Sequence, residues 1–94
     1  MTTVATLREE LDGYYSEMKG FSEFDLEEVY LKLSAWSARA SEIRSTLVRQ
    51  ESRAAMAFRT KEIEPFLSEI KNQFGIWSRI QAHRETDYKL AGKL

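Results

Sequence analysis

The stretch LEEVYLKLSAWSARASEIRSTLV, residues 26–48, is the part of the sequence that predicts the fold. Its apolar residues recur every seven positions, with Leu26, Leu33, Ala40 and Leu47 at heptad position a and Val29, Trp36 and Ile43 at position d. Such a repeat is typical of a helix that buries one face against another helix. Continued along the chain, the repeat places Ala54 at a and Gln50 and Ala57 at d, so it predicts a helix over residues 25–60.

A second repeat begins after Thr60, with Ile63, Ile70 and Trp77 at position a and Phe66, Gln73 and Ile80 at position d. It is out of step with the first repeat by two residues, so on one straight helix the two apolar faces would point in different directions. Pro65 lies near the change of step, in TKEIEP (residues 60–65). The sequence therefore predicts a break there and a further helix over residues 64–91, with Pro65 in its first turn.

A break in this place allows an antiparallel hairpin that folds about residues 61–62. Small residues of one helix would then face large residues of the other, as dense packing requires. The predicted pairs are Ala57 with Phe66, Ala54 with Ile70, Leu47 with Trp77, Ile43 with Ile80, and Gln50 with Gln73.

The N-terminal part of the chain predicts one shorter helix, over residues 3–19. Val4, Leu7, Leu11 and Met18 recur at helical spacing, and Gly20 follows as a stop signal. The next start signal is either Ser22 or Asp25, since each precedes an acidic residue by three positions, the spacing of a capping box.

These patterns predict an all-α protein with a single domain over residues 1–94. Its parts are a short N-terminal helix, over 3–19, and a long, coiled-coil-like antiparallel hairpin of helices over 25–60 and 64–91. A chain of 94 residues buries only part of its surface. We therefore expect the helical bundle to be completed by self-association, with a homodimer as the first hypothesis.

Gly75 lies inside the last predicted helix, where glycine is unfavourable by about 1 kcal/mol relative to alanine. In the predicted hairpin it falls on the outside, beside Phe74 and Leu67 and facing Phe58. A glycine among apolar side chains indicates a place where another helix approaches closely. Phe58, Leu67, Phe74 and Gly75 therefore form a predicted interaction strip, covered by the N-terminal helix or by a second copy of the chain.

Charge is unevenly distributed. Residues 1–28 contain eight acidic residues against Arg8 and Lys19, whereas residues 29–61 contain seven basic residues against Glu42 and Glu51. Four arginines of this central part are candidate anion-binding residues: Arg39, Arg49, Arg53 and Arg59. They either pair with the acidic N-terminal segment, which is the favoured interpretation, or bind nucleic acid.

The sequence contains no recognisable motif for catalysis or cofactor binding. The chain has one histidine, His83, no cysteine, and no glycine-rich loop after a strand. Thiolate metal sites, a Ser-His-Asp triad and a phosphate-binding loop are therefore unsupported, and we expect no enzyme activity, cofactor or metal. A minor alternative is a small-ligand sponge, in which Tyr14, Tyr15 and arginines line a cleft between copies and sequester an anionic nucleotide.

No signal peptide or membrane span is indicated, because the first residues lack a basic segment followed by an apolar run, and no apolar run reaches about 18 residues. We therefore expect a cytoplasmic protein without membrane contact.

LSAWSARASEIRSTLV (residues 33–48), a polar turn, and FLSEIKNQFGIWSRIQAHRE (residues 66–85) together resemble small helical-hairpin proteins of bacteriophage early regions. The resemblance covers residues 30–90 and transfers no functional residue. It implies an accessory protein or inhibitor that acts through protein contacts, including contacts with a host defence or nucleic-acid enzyme, in the host cytoplasm.

Two functions follow as hypotheses. The first is a non-enzymatic protein-interaction module of the phage accessory or inhibitor type, which binds a host or phage protein. The second is a nucleic-acid-binding accessory that uses the arginine-rich central helix. Salt separates them, because phosphate binding weakens steeply as ionic strength rises whereas apolar binding changes little.

Overall fold

The computed structural model describes residues 3–92, with the backbone alone for residues 88–91. In chain order its helices are α1 (Val4–Met18), α2 (Leu26–Gln50), α3 (Arg53–Phe58) and α4 (Glu64–Ala91), with a 3-10 turn at Phe21–Glu23 and a π-helical segment at Arg59–Ile63. The described chain is all-α and contains no strand, as predicted. The predicted domain, over residues 1–94, extends beyond the described residues at both ends.

Side-chain caps explain where α1 and α2 begin. The Oγ1 atom of Thr3 accepts a hydrogen bond from the backbone N–H of Thr6 at 3.2 Å. Asp25 Oδ1 accepts one from the N–H of Glu28 at 2.8 Å. Such caps satisfy N–H groups that have no partner within the helix. The predicted first helix is thus confirmed to within a residue at each end, and Asp25, rather than Ser22, caps the second.

The predicted helix over residues 25–60 is wrong at its C-terminal end, because α2 stops at Gln50 and the chain reverses there. Glu51 adopts a left-handed conformation with φ of 48°, and the Oγ atom of Ser52 accepts a hydrogen bond from the N–H of Ala55 at 3.0 Å. The reversal shifts the buried positions by one residue. Ala55 and Phe58 are buried, whereas Gln50, Ala54 and Ala57, which were predicted to lie on the seam, are exposed.

Ser52→Ala is expected to lower the free energy of unfolding by about 1 kcal/mol, because it removes the cap of α3. Chemical denaturation of the variant measures this loss. Ser45→Ala is the matched control, since Ser45 is an exposed serine inside α2 where alanine is the better helix former. Equal stabilities of the two variants would contradict a capping role for Ser52.

The predicted break at residues 60–65 is also wrong, since α3, the π-helical segment and α4 form one continuous helix over residues 53–91. The N–H of Glu64 donates to the carbonyl oxygen of Arg59, five residues back. Pro65 has no N–H with which to continue the regular ladder, and its ring crowds the carbonyl of residue 61. The wider turn lies directly before the proline, as is common for such interruptions.

The π-helical segment also takes up part of the difference between the two heptad registers. Phe58 and Ile63 are both buried, although residues five positions apart on an α-helix point about 140° apart. The extra residue in the wide turn brings both side chains onto the face that packs against the rest of the protein. Of the two-residue mismatch read from the sequence, one residue is therefore accommodated in this wide turn, and the other at the reversal, where the buried positions move to Ala55 and Phe58.

Because the reversal lies ten residues earlier than predicted, the hairpin pairs α2 and α4 in a different register. The rings of Tyr30 and Phe74 stack with centroids 6.1 Å apart, the Tyr30 hydroxyl donates to Gln81 Oε1 at 2.8 Å, and Arg44 lies 3.6 Å from Glu64. These contacts replace the predicted pairing that folds about residues 61–62. Gln73, predicted to face Gln50, instead accepts a hydrogen bond from the Trp77 indole at 3.1 Å.

The core lies where α1 packs on one side of the hairpin. Tyr14 of α1 stacks on Trp36 of α2 with centroids 4.9 Å apart and on Phe66 of α4 at 5.6 Å. Phe21, in the connection, stacks on Trp36 at 5.5 Å and meets Trp77 edge-on at 6.3 Å. The seam residues from Val29 to Leu47 are buried as predicted; the buried set in the described chain is Leu7, Leu11, Phe21, Val29, Leu33, Trp36, Ala40, Ile43, Leu47, Ala55, Phe58, Ile63, Phe66, Ile70 and Trp77.

The overall shape is a rod. Its principal extents are 62 × 18 × 16 Å and its radius of gyration is 16.9 Å, against about 12 Å for a compact chain of this length. The elongation places the reversal between α2 and α3 at one end and the C-terminal part of α4, whose side chains from Ala82 to Asp87 are exposed, at the other.

Candidate functional site

Arg39, one of the candidate anion-binding residues, forms an ion pair with Glu10 of α1. Its Nε and Nη2 atoms donate to the two carboxylate oxygens of Glu10 at 2.8 and 3.0 Å, and Nη1 donates to Glu42 at 3.2 Å. The Tyr14 hydroxyl donates to the same Glu10 carboxylate at 2.6 Å. Two-pronged guanidinium pairing of this kind is among the stronger charged contacts in proteins. Arg39 therefore fastens α1 to α2, in agreement with the favoured interpretation of internal pairing.

The same network shifts two ionisable groups. The hydrogen bond from Arg39 lowers the pKa of Glu10 against the smaller opposing effect of burial. Burial, together with the hydrogen bond to Glu10, raises the pKa of Tyr14 to about 12. Both directions favour the pairing of a charged carboxylate with a neutral phenol.

Stability is expected to fall in acid as Glu10 becomes protonated. A carboxylate whose pKa is lowered on folding stabilises the folded protein fully at pH values above its ordinary pKa of 4.5. This contribution disappears as the pH falls through the lowered pKa. Thermal or denaturant unfolding between about pH 7 and 3 measures the effect. In Glu10→Gln we expect a shallower loss in acid and lower stability at neutral pH. Glu9→Gln, which removes one exposed carboxylate of the same helix, is the matched control, and a slope for Glu10→Gln as steep as that of this control would contradict the role of Glu10.

Three further ion pairs cross between elements. Arg8 donates to both Glu62 oxygens, the closest at 2.8 Å, Lys32 lies 3.3 Å from Glu17, and Arg44 lies 3.6 Å from Glu64. All are partly solvent-exposed, so each contributes little free energy, typically about 0 to 1 kcal/mol. Lys32 with Glu17, like Arg39 with Glu10, joins a basic residue of α2 to an acidic residue of the N-terminal segment, whereas the other two pairs do not.

Arg49, Arg53 and Arg59 differ from Arg39, because within the described part of the chain they form no ion pair. Arg49 lies in the last turn of α2, Arg53 begins α3, and Arg59 begins the π-helical segment. Lys61 lies two residues further on and is likewise without an ion pair in this range. The stretch 48–61 contains these four cations and a single acid outside any pair, Glu51.

Two exposed apolar side chains belong to the same stretch of sequence as these cations. Val48 is 53% exposed and Met56 is 54% exposed, one on each side of the reversal. We call this surface the basic end; it comprises Val48, Arg49, Arg53, Met56, Arg59 and Lys61. The sequence analysis did not predict the basic end, because the heptad assignment continued one helix through the residues where the chain reverses.

The predicted interaction strip does not form one surface. Phe58 is buried, with the Arg8 guanidinium 5.9 Å above its ring, so the N-terminal helix covers it, as one of the two predicted alternatives required. Phe74 and Leu67 are half-buried, and Phe74 stacks on Tyr30 of α2. Gly75 is exposed, and a Cβ atom added to it would meet nothing within 4 Å. Phe58 is therefore separate from the other three residues.

Tyr14 and Tyr15, the candidate ligand residues, pack on the aromatic side chains of the core. Trp36 and Phe66 are buried, and Tyr14 is half-buried against both. Tyr15 meets the edge of Phe66 at 5.3 Å, so both adjacent tyrosines contact the same ring. His83 lies on the exposed part of α4, 3.7 Å from Asp87. Among the described residues there is no cluster of side chains suited to bind a metal.

One groove lies on the side of the hairpin away from α1. It has a volume of about 320 Å³ and is lined by Leu26, Glu27, Tyr30, Leu31, Ser34 and Gln81. Leu31 is the most exposed large apolar side chain of the described protein, at 64%. Tyr30 of this groove stacks on the half-buried Phe74, so exposed and half-buried apolar side chains mark this side as a second candidate interaction surface.

Comparison with protein-family models, with curated proteins and with solved structures finds no match to this chain. Within the described residues, no helix has the length and apolar character that crossing a membrane requires.

Proposed function

We propose that this chain is a non-enzymatic protein-interaction module, and that its basic end binds an acidic segment of a partner protein. The observation that carries the proposal is the pairing pattern of the arginines. Arg39 is neutralised by Glu10, whereas Arg49, Arg53 and Arg59 remain without ion pairs in the described chain. Cations that do not serve the fold are available to a ligand of opposite charge.

The exposed side chains of Val48 and Met56 favour a protein partner over a nucleic acid. A protein interface combines apolar contacts at its centre with charges at its rim, and both are present at the basic end. Binding of single-stranded nucleic acid usually adds aromatic side chains on which bases stack. Phe58 is the aromatic residue nearest in sequence to the cations, and it is buried.

The resemblance to phage helical-hairpin proteins suggests the kind of partner. We propose a host or phage protein in the host cytoplasm, such as a defence or nucleic-acid enzyme whose acidic surface the basic end would block. In this role the chain acts as an accessory or inhibitor through contact alone, without a catalytic group.

Affinity capture with charge-reversed variants tests the proposal. The tagged chain is compared with Arg49→Glu/Arg53→Glu/Arg59→Glu in lysate treated with nuclease. The matched control is Lys19→Glu/Arg79→Glu/Arg84→Glu, which makes the same change of charge at exposed residues elsewhere. We expect one stoichiometric protein with the wild type and the control, and a loss of at least about tenfold with the first variant. Capture of no protein, or equal capture by both variants, would contradict the proposal.

Nucleic-acid binding is the second candidate, because the four cations of the basic end suit phosphates equally well. Their number limits the effect of salt: with four phosphate contacts, affinity for duplex DNA falls about 100-fold between roughly 50 and 200 mM salt. Titration of labelled single strands and duplexes at these concentrations measures it. A steep salt dependence that disappears in the first variant, together with capture that nuclease abolishes, would favour this candidate over a protein partner.

A further inference from the structure

One side of the α2–α4 hairpin is covered by α1, and the opposite side is open. The covered side carries the contacts of Tyr14 with Trp36 and Phe66. The open side carries the stacking of Tyr30 on Phe74 and the ion pair between Arg44 and Glu64. It therefore presents half-buried apolar side chains without an element of the described chain lying over them.

Along α4 this open side continues as a stripe at helical spacing. We call it the outer α4 stripe, and its residues are Leu67, Ser68, Lys71, Phe74, Gly75, Ser78, Ala82 and Glu85. All are exposed except Leu67 and Phe74, which are half-buried. Small residues flank the two apolar ones, and Gly75 faces open space at its centre. Small side chains permit the backbone of a second helix to come close.

The stripe extends beyond the body of the protein. Every side chain from Ala82 to Asp87 is exposed, because α4 runs past the first turn of α2. Glu85 is held on the open side by a chain of hydrogen bonds: Tyr30 donates to Gln81 at 2.8 Å, and Gln81 donates to Glu85 at 3.3 Å. A carboxylate is thus held in a defined place on a part of the helix that packs against nothing else in the described chain.

Charges on the stripe are arranged symmetrically about Ser78. Lys71 precedes Ser78 by seven residues and Glu85 follows it by seven, so both lie on the same face, about two turns to either side. A second α4 that packs antiparallel around a two-fold axis at Ser78 places Lys71 of each copy against Glu85 of the other. The same axis places Phe74 against Ala82, a large residue against a small one.

We propose that the occupant of this face is a second copy of the chain, bound through the outer α4 stripes as an antiparallel homodimer with its two-fold axis at Ser78. A two-fold interface uses the same patch twice, so its charges must be self-complementary, and Lys71 with Glu85 meets this condition. The last turns of each α4 then lie over Phe74 and Leu67 of the other copy. This inference does not depend on the basic end.

Cross-linking tests the position of the axis. The chain has no cysteine, so Ser78→Cys introduces a single thiol, which under mild oxidation should join two copies when their Cα atoms lie about 4.4 to 6.8 Å apart. Ser16→Cys, an exposed serine on α1, is the matched control. Rapid disulfide dimer formation by Ser78→Cys alone supports the proposal, whereas equal rates for the two variants would overturn it.

Oligomeric state tests the charges. By sedimentation equilibrium we expect the wild type to have twice the chain mass of 11.0 kDa. Lys71→Glu should weaken association about tenfold, since it creates two repulsive contacts, and Lys71→Glu/Glu85→Lys should restore it. A monomeric wild type at all concentrations, or a double variant no tighter than Lys71→Glu, would overturn the proposal. The variant Arg49→Glu/Arg53→Glu/Arg59→Glu should dimerise like the wild type. Failure of the proposed dimer and failure of the proposed function can therefore be told apart.

Discussion

Phe66→Ala is expected to lower the free energy of unfolding by about 3 to 5 kcal/mol. Phe66 is 0% exposed, and its ring lies between Tyr14 and Tyr15 of α1, with centroid distances of 5.6 and 5.3 Å. The change removes the buried aromatic surface and leaves a cavity at the point where α1 meets α4. Denaturation in urea, followed by circular dichroism, measures the loss.

Met56→Ala is the matched control for Phe66→Ala. It also shortens a large apolar side chain in the same continuous helix, but Met56 is 54% exposed, so we expect a change within about 0.5 kcal/mol. If both substitutions cost the same, α1 does not pack on Phe66 as the structure describes. A partial result, in which Phe66→Ala stays folded but the fluorescence of Trp36, on which Tyr14 also stacks, changes, would indicate local detachment of α1.

Ala55→Glu is expected to destabilise the protein by about 3 to 5 kcal/mol, because it places a charge without a partner in the core. Ala55 is 1% exposed and faces the interior of the hairpin just after the reversal. The expected result is a strongly lowered melting temperature, or a protein that fails to fold at 37 °C. Thermal unfolding measured by calorimetry provides the test.

Ala54→Glu is the control that decides between two registers. The heptad pattern continued through residue 60 buries Ala54 and Ala57, whereas the reversal at Glu51 and Ser52 buries Ala55 instead. We expect Ala54→Glu to change stability by no more than about 0.5 kcal/mol. The opposite ranking of the two variants would mean that α2 continues past Gln50 and that the hairpin closes later.

Periodicity correctly predicted the helices that bury a single apolar face at regular spacing. The seam from Val29 to Leu47 and the length of α1 follow from spacing, and Asp25 was one of the two caps that capping chemistry allowed. The reversal did not follow, because it uses neither glycine nor proline. The left-handed backbone conformation of Glu51 is locally unfavourable in free energy. The packing of α3 against the rest of the core offsets this cost. Ser52, a favoured capping residue, was the available signal.

Pro65 misled the prediction in a different way. A proline inside an apparent helix usually marks its boundary, and the change of register beside it strengthened that interpretation. In the structure the wide turn at Arg59–Ile63 omits the hydrogen bond that proline cannot make and accounts for one residue of the register change, the other arising at the reversal after Gln50. Sequence periodicity detects that two faces differ in phase but not whether a turn or a wider helix joins them.

For the candidate surfaces, the sequence identified the relevant residue types but did not predict where their side chains lie or what they contact. The arginine-rich centre was recognised, but the division into Arg39, paired with Glu10, and the unpaired Arg49, Arg53 and Arg59 depends on how α1 lies across α2. Gly75 was correctly expected on an outer face, yet Phe58 was assigned to the same face only because the hairpin was folded at the wrong place. Small errors of register move side chains to other sides of a helix.

The wide turn sets an asymmetric limit on the number of residues between Phe58 and Ile63. Exposed polar stretches usually tolerate gain or loss of a residue during evolution, and Thr60 and Lys61 are exposed and polar. Loss of one of them would leave Phe58 and Ile63 four positions apart, about 40° apart on a regular α-helix, so both side chains would stay on the packed face. Gain of one residue in a regular helix would instead rotate α3 by about 100° relative to α4 and move Phe58 away from Arg8. Homologous chains should therefore include some that are one residue shorter in this stretch and none that are longer.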